Sequence, residues 1–246
     1  MAAISIVNNQ SGYRHTTTYA LPYSVTNGST LVWGVAQLKE SSACPAAAPT
    51  KSSGTATIGT VTLDATYSWS TSTHYFRNEL YRIPITGDGT LTIAVNNTEA
   101  SYLFACIETL NINAIDGTQY TNTASSTAES SGNMTGHAGG LMVEIGAEFI
   151  TTPTHSAPSD QMIYYQDSST YMTGQCQYRL CSAETVAITS TLANSGPWGV
   201  LGIVYKPVDV TAALTGTATS SITEADVVTG GKTIIITLTG ATWVAN

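Results

Sequence analysis

Charge is scarce in this sequence. Asp, Glu, Lys and Arg together make up 10% of its 246 residues, well under the roughly 25% of an average globular domain. The basic residues number eight against sixteen acidic ones, for a formal charge of −8. Those eight, Arg14, Lys39, Lys51, Arg77, Arg82, Arg179, Lys206 and Lys232, stand singly along the chain. No basic stripe exists to neutralise phosphates, which argues against direct nucleic-acid binding and against a shell that touches packaged DNA. Long apolar runs are also missing. Nothing approaches the run of about 18 residues that crosses a bilayer as a helix, so no membrane span is expected. The N-terminus, Met1 to Asn9, has neither a basic n-region nor an apolar h-region, so the product is expected to begin in a cytoplasm.

Metal-binding and catalytic patterns are absent too. Cys44, Cys106, Cys176 and Cys181 are joined by no Cys-x-x-Cys or His-x-x-x-His spacing, and His15, His74, His137 and His155 read as isolated surface residues. Cys176 and Cys181, an odd number of positions apart on one strand, should point to opposite faces and not pair. No Gly-x-Ser-x-Gly elbow, phosphate loop or His-Glu-x-x-His helix occurs. The expectation is therefore a protein without catalytic residues, cofactor or metal.

What remains is a chain of short Thr-, Val-, Ile- and Tyr-rich stretches bounded by Gly, Asn, Asp and Ser, the signature of strands. Strands are expected near 3–7, 29–38, 57–64, 77–85, 89–96, 101–113, 140–150, 160–166, 171–181, 185–192, 198–206, 209–217 and 231–240. Leu91, Ile93 and Val95 should share one face of their strand. The segments 31–36 and 200–205 are apolar on both faces and read as central strands. Gly87-Asp88-Gly89 reads as a tight hairpin, while 41–54 and 116–139 read as long connections. The fold class is all-β, an antiparallel β-sandwich of jelly-roll type with a small C-terminal β module.

Two sets of side chains invite a functional reading. Glu79, Glu108, Glu144 and Glu148 lie in strands, and Glu144 and Glu148 share a face as a hydrolase pair might. They read instead as outward solubilising groups or as partners for Arg82 and Arg179. The sequence has 13 tyrosines against 3 phenylalanines; Tyr164, Tyr165 and Tyr171, around the loop 166–170, are the candidate surface for stacking on a sugar or a protein.

Composition changes after Lys206-Pro207, which divides a sandwich domain, 1–206, from a module, 207–246, too short to bury a core alone and so expected to dock on a neighbouring subunit. The segments Thr30 to Ala36, Glu79 to Pro84, Gly89 to Val95 and Trp198 to Val204 together resemble β-sandwich proteins among tailed-phage structural genes. The tail Ser221 to Gly240 resembles a short module that recurs in phage and bacterial surface proteins. These resemblances imply a virion structural protein, of capsid decoration or cement type, bound to copies of itself and to other virion proteins such as the major capsid protein. The alternative, second to it, is a receptor- or glycan-binding module of a tail fibre or adhesin, with the Tyr164 to Tyr171 region as the contact and a host-surface glycan as ligand.

Overall fold

The computed structural model describes residues 2–14, 18–95, 101–149, 155–156, 161–166 and 172–208. The chain divides into two units, Met1–Asp209 and Val210–Asn246. The second, with the strands expected at 209–217 and 231–240, lies outside the described residues.

The first unit is built from strands, with no helix among the described residues. In chain order these are β1 (Ser5–Arg14), β2 (Thr18–Ala20), β3 (Thr30–Lys39), β4 (Pro49–Ser53), β5 (Thr57–Ile58), β6 (Thr62–Ser70), β7 (Tyr75–Gly87) and β8 (Thr92–Val95). There follow β9 (Ser101–Leu110), β10 (Ile112–Thr135), β11 (Gly140–Glu148), β12 (His155–Ser156), β13 (Gln161–Gln166), β14 (Thr173–Cys181) and β15 (Thr185–Pro207). The first sheet runs β1-β9-β3-β7-β5, with β6 also on β7; the second runs β10-β15-β11-β14-β13, with β12 also on β15; the third is β2-β8-β4. Neighbours in all three pair antiparallel. The architecture is thus an antiparallel β-sandwich with additional β layers.

The central strands are those whose sequence is apolar on both faces. In β3, flanked by β9 and β7, every residue from Leu31 to Leu38 is buried. Its even positions, Val32, Ala36 and Leu38, pack with Leu80, Ile107, Leu141, Val143, Ile145, Leu201 and Ile203 in the core between the two large sheets. Its odd positions, Leu31, Trp33 and Val35, pack with Ile83, Phe104, Leu91 and Ile93 in a second core beneath the third sheet. Trp33 stacks on Phe104 there, ring centroids 5.0 Å apart. A Cβ on Gly34 would come within 2.8 Å of Ile145 Cδ1, so glycine at this point lets the two sheets approach.

A third core lies on the far side of the second sheet. β10 and β15 pair along their lengths as a two-stranded ribbon, but the register breaks between Ser126 and Ala128 on one strand and between Gly196 and Thr191 on the other. Beyond this irregularity, residues 128–135 and 185–192 fold back over the outer face of their own sheet. Met134 and Ile188 from the returning half bury against Met142, Cys181 and Val204. This return ribbon makes a fourth layer, so β11 has both faces fully buried.

Several expectations are corrected. Residues 116–139 are not a connection but most of β10, with the short link to β11. The stretches 185–192 and 198–206 are one strand, β15, and 57–64 divides between β5 and β6. The stretch 41–54 is not wholly a connection, since Pro49–Ser53 within it forms β4 and pairs with β8. Gly87-Asp88-Gly89 makes no hairpin: β7 belongs to the first sheet and β8 to the third, so the glycines turn the chain from one layer to another. Gly89 does take a positive φ of 134°, and it bridges Val25.

Candidate functional site

The four strand carboxylates expected to face outward are all fully buried. Glu79 accepts from Gln37 Nε2 at 3.0 Å, the Ala47 amide at 2.8 Å and Arg77 Nε at 2.8 Å. It thereby ties the 41–54 connection to β7. Glu108 accepts from the Thr26 amide at 2.7 Å, Ser29 Oγ at 2.8 Å and Asn8 Nδ2 at 2.8 Å, and ties down the turn before β3. Neither serves Arg82 or Arg179. Arg82 Nε binds both Asp64 oxygens, at 2.9 and 2.8 Å, and Arg179 pairs with Glu184 at 3.1 Å. A buried carboxylate ringed by donors is tolerable where an isolated one is not, which is how these charges leave the surface.

Glu144 and Glu148 do share the outer face of β11, but the return ribbon closes over them and brings a third carboxyl, Glu129, among them. Glu144 Oε1 accepts from Gln175 Nε2 at 3.0 Å and Gln177 Nε2 at 3.3 Å. Thr173 Oγ1 donates to Glu148 at 2.8 Å, and Ser190 Oγ donates to Glu129. Burial pushes Glu144 up to about 8, reinforced by the adjacent Glu129 and opposed by hydrogen bonds from Gln175 and Ser131. Burial likewise pushes Glu148 up to about 7, opposed by hydrogen bonds with Glu129 and Thr173. The described residues include no group of three or more His, Cys, Asp or Glu side chains arranged to hold a metal ion. These acids are sealed from solvent, the reverse of a pair held open to a sugar.

The surface presents a different feature. β10 ends the second sheet and, among the described residues, pairs only with β15. All five residues from Thr121 to Ser125 are exposed, on both faces of the strand, and none carries charge. Edge strands are usually blunted by lysine, proline or an inward charge, since their unpaired amides and carbonyls invite another strand. This one has no such device. Large exposed apolar residues among those described, Val7, Leu63, Tyr75 and Leu180, are scattered singly.

Tyr164 and Tyr165 stand on β13, opposite Gln175 and Gly174. Their side chains, and Tyr171 entirely, lie outside the described residues, as do His15 and the His155 side chain. His74 packs on Phe149 at 4.3 Å between ring centroids. His137 is not isolated: its Nε2 lies 2.8 Å from Asp116, whose carboxyl also takes Lys206 Nζ at 2.6 Å. All four cysteines are free and buried. Cys176 and Cys181 sit in the inner and the outer core respectively, opposite faces of β14 as their spacing requires. Burial pushes the Cys44 thiol up to about 11 and Cys106 up to about 12, and raises Cys176 and Cys181 as well.

The returning ribbon and its glutamate cluster were invisible to strand periodicity, because Glu129 lies 15 residues before Glu144 on a separate layer. No family model matches this sequence, no curated protein matches it, and no solved structure matches it.

Proposed function

We propose that this chain is a non-enzymatic structural protein of a phage virion, of the capsid decoration or cement type. It acts through contacts with its own copies and with other virion proteins such as the major capsid protein. The observation that carries this reading is the uncharged β10 edge at Thr121 to Ser125, exposed on both faces and paired on one side among the described residues. A partner strand would gain main-chain hydrogen bonds there without desolvating a charge. The scarcity of charge and the scattering of exposed apolar residues favour recognition by backbone and neutral polar groups over a greasy patch.

The test is incorporation into particles. Thr123→Lys with Ser125→Lys, which blunts the edge at two exposed positions, should abolish co-sedimentation with particles while leaving the melting temperature unchanged. Removing residues 208–246 should do the same if the tail completes the clasp. Full incorporation of both variants would overturn the reading.

A further inference from the structure

The return ribbon is held on the sheet by two unlike attachments. One is apolar: the small cluster of Met134, Met142, Cys181, Ile188 and Val204, with Leu192 packed on Trp198 and Val200, together far smaller than the core between the large sheets. The other is the polar layer around Glu144. Ser131 also hydrogen-bonds to Glu144, yet several buried acceptors of that layer lack a partner. Glu144 Oε2, Gln175 Oε1 and Gln177 Oε1 are all buried, and none meets a hydrogen-bond donor. One N–H of each glutamine amide is committed to the other Glu144 oxygen. A proton on Glu144 Oε2 turns that unpartnered acceptor into a donor and removes the buried charge. Without it, a full negative charge is buried near the Glu129 carboxyl, with three buried oxygens lacking a hydrogen-bond partner.

We propose that residues 128–135 and 185–192 form a proton-latched cover, held on the second sheet while Glu144 is protonated and released from it when that proton is lost, the sandwich beneath staying folded. To this layer β10 contributes Glu129 and Ser131, β11 contributes Glu148 beside Glu144, and β15 contributes Ser190. β14 contributes Gln175 and Gln177, with the Cys176 thiol on its opposite face, while β12 sets His155 opposite Leu192. β13 sets Tyr164 opposite Gln175. The direction follows from linkage. The covered state raises Glu144 from 4.5 to about 8, so the covered state binds the proton more tightly than the open one. Its advantage is fully present below the ordinary glutamate range and is lost as pH rises through about 8.

Hydrogen exchange on the full chain across pH 5 to 9, corrected for the intrinsic rate, reads the opening directly. In the wild type, opening of 128–135 and 185–192 should increase with pH by up to about tenfold per pH unit for each of the two raised carboxyls, Glu148 as far as about pH 7 and Glu144 as far as about pH 8, while β3 stays protected. Glu144→Gln, whose amide can donate where the acid O–H did, should remove the rise between about pH 7 and pH 8 and leave the shallower part below it that belongs to Glu148. Titration of the Glu144 carboxyl carbon by NMR in the unaltered protein gives a second reading that needs no variant. Flat ribbon protection in the wild type, an unchanged pH dependence in Glu144→Gln, or a Glu144 that titrates below pH 5 with the ribbon still protected would each overturn the proposal.

Discussion

The two faces of β11 are equally buried and chemically opposite. Leu141, Val143, Ile145 and Ala147 enter the apolar core between the large sheets. Met142, Glu144, Gly146 and Glu148 lie under the return ribbon, among carboxyl, amide and hydroxyl groups. One strand therefore serves two kinds of interior. The inner one is held by apolar burial, which does not depend on pH; the outer one depends on protons and on the fit of a layer only two strands wide. Burial by itself says little about what holds a layer in place.

The contrast is most severely tested from the inside. Ile145→Ala should lower global stability by about 2–5 kcal/mol, as a cavity in a closely packed core does, and urea denaturation should show it equally at every pH. One residue further on, Gly146→Ala should cost about 1–3 kcal/mol by overpacking. A Cβ at this position would strike a Glu129 oxygen and lie 3.1 Å from Val200 Cγ1. Its loss should appear as faster exchange in 128–135 and 185–192, with β3 unaffected; an equal loosening of both would merge the two interiors into one. The smallest effect belongs to the rim. Lys206→Ala removes the hydrogen bond that, more than His137, holds the Asp116 carboxyl below its usual range. Because Lys206 is 41% exposed, the change should amount to roughly 0–1 kcal/mol. That contribution is present above the ordinary aspartate range, fades as pH falls through the lowered value, and shrinks in salt. Its pH dependence runs opposite to that of Glu144, so the gap in melting temperature between wild type and variant should be present at pH 6 and close toward pH 2, which separates the two.

Much of the fold was legible in the sequence because its central strands are buried on both faces and read as unbroken apolar runs. Leu31 to Ala36 and Val200 to Tyr205 are of this kind. So was the alternation that buries Leu91 and Ile93 and sends Cys176 and Cys181 to opposite sides. β10 was not legible, for the converse reason: a strand exposed on both faces, as at Thr121 to Ser125, has no alternation to read, and its Ser, Thr and Asn content matches that of a loop. The shared face of Glu144 and Glu148 was correctly placed by period two. What covers that face could not be, since it depends on β10 and β15 doubling back together at Ser126 and Gly196, a tertiary event with no local pattern. Gly89 illustrates the same limit on a smaller scale: its backbone angle follows from the glycine, while the destination of the next strand depends on which layer has room for it.

The four buried thiols carry a practical consequence. A thiol reacts with alkylating reagents as its thiolate and only where the reagent can reach it, and all four native cysteines are enclosed, with their ionisation pushed to high pH. The protein is thus chemically silent toward maleimide at neutral pH while folded. A cysteine introduced at Ser125 would react alone, so a fluorophore there would report the arrival of a neighbouring strand with no native cysteine removed.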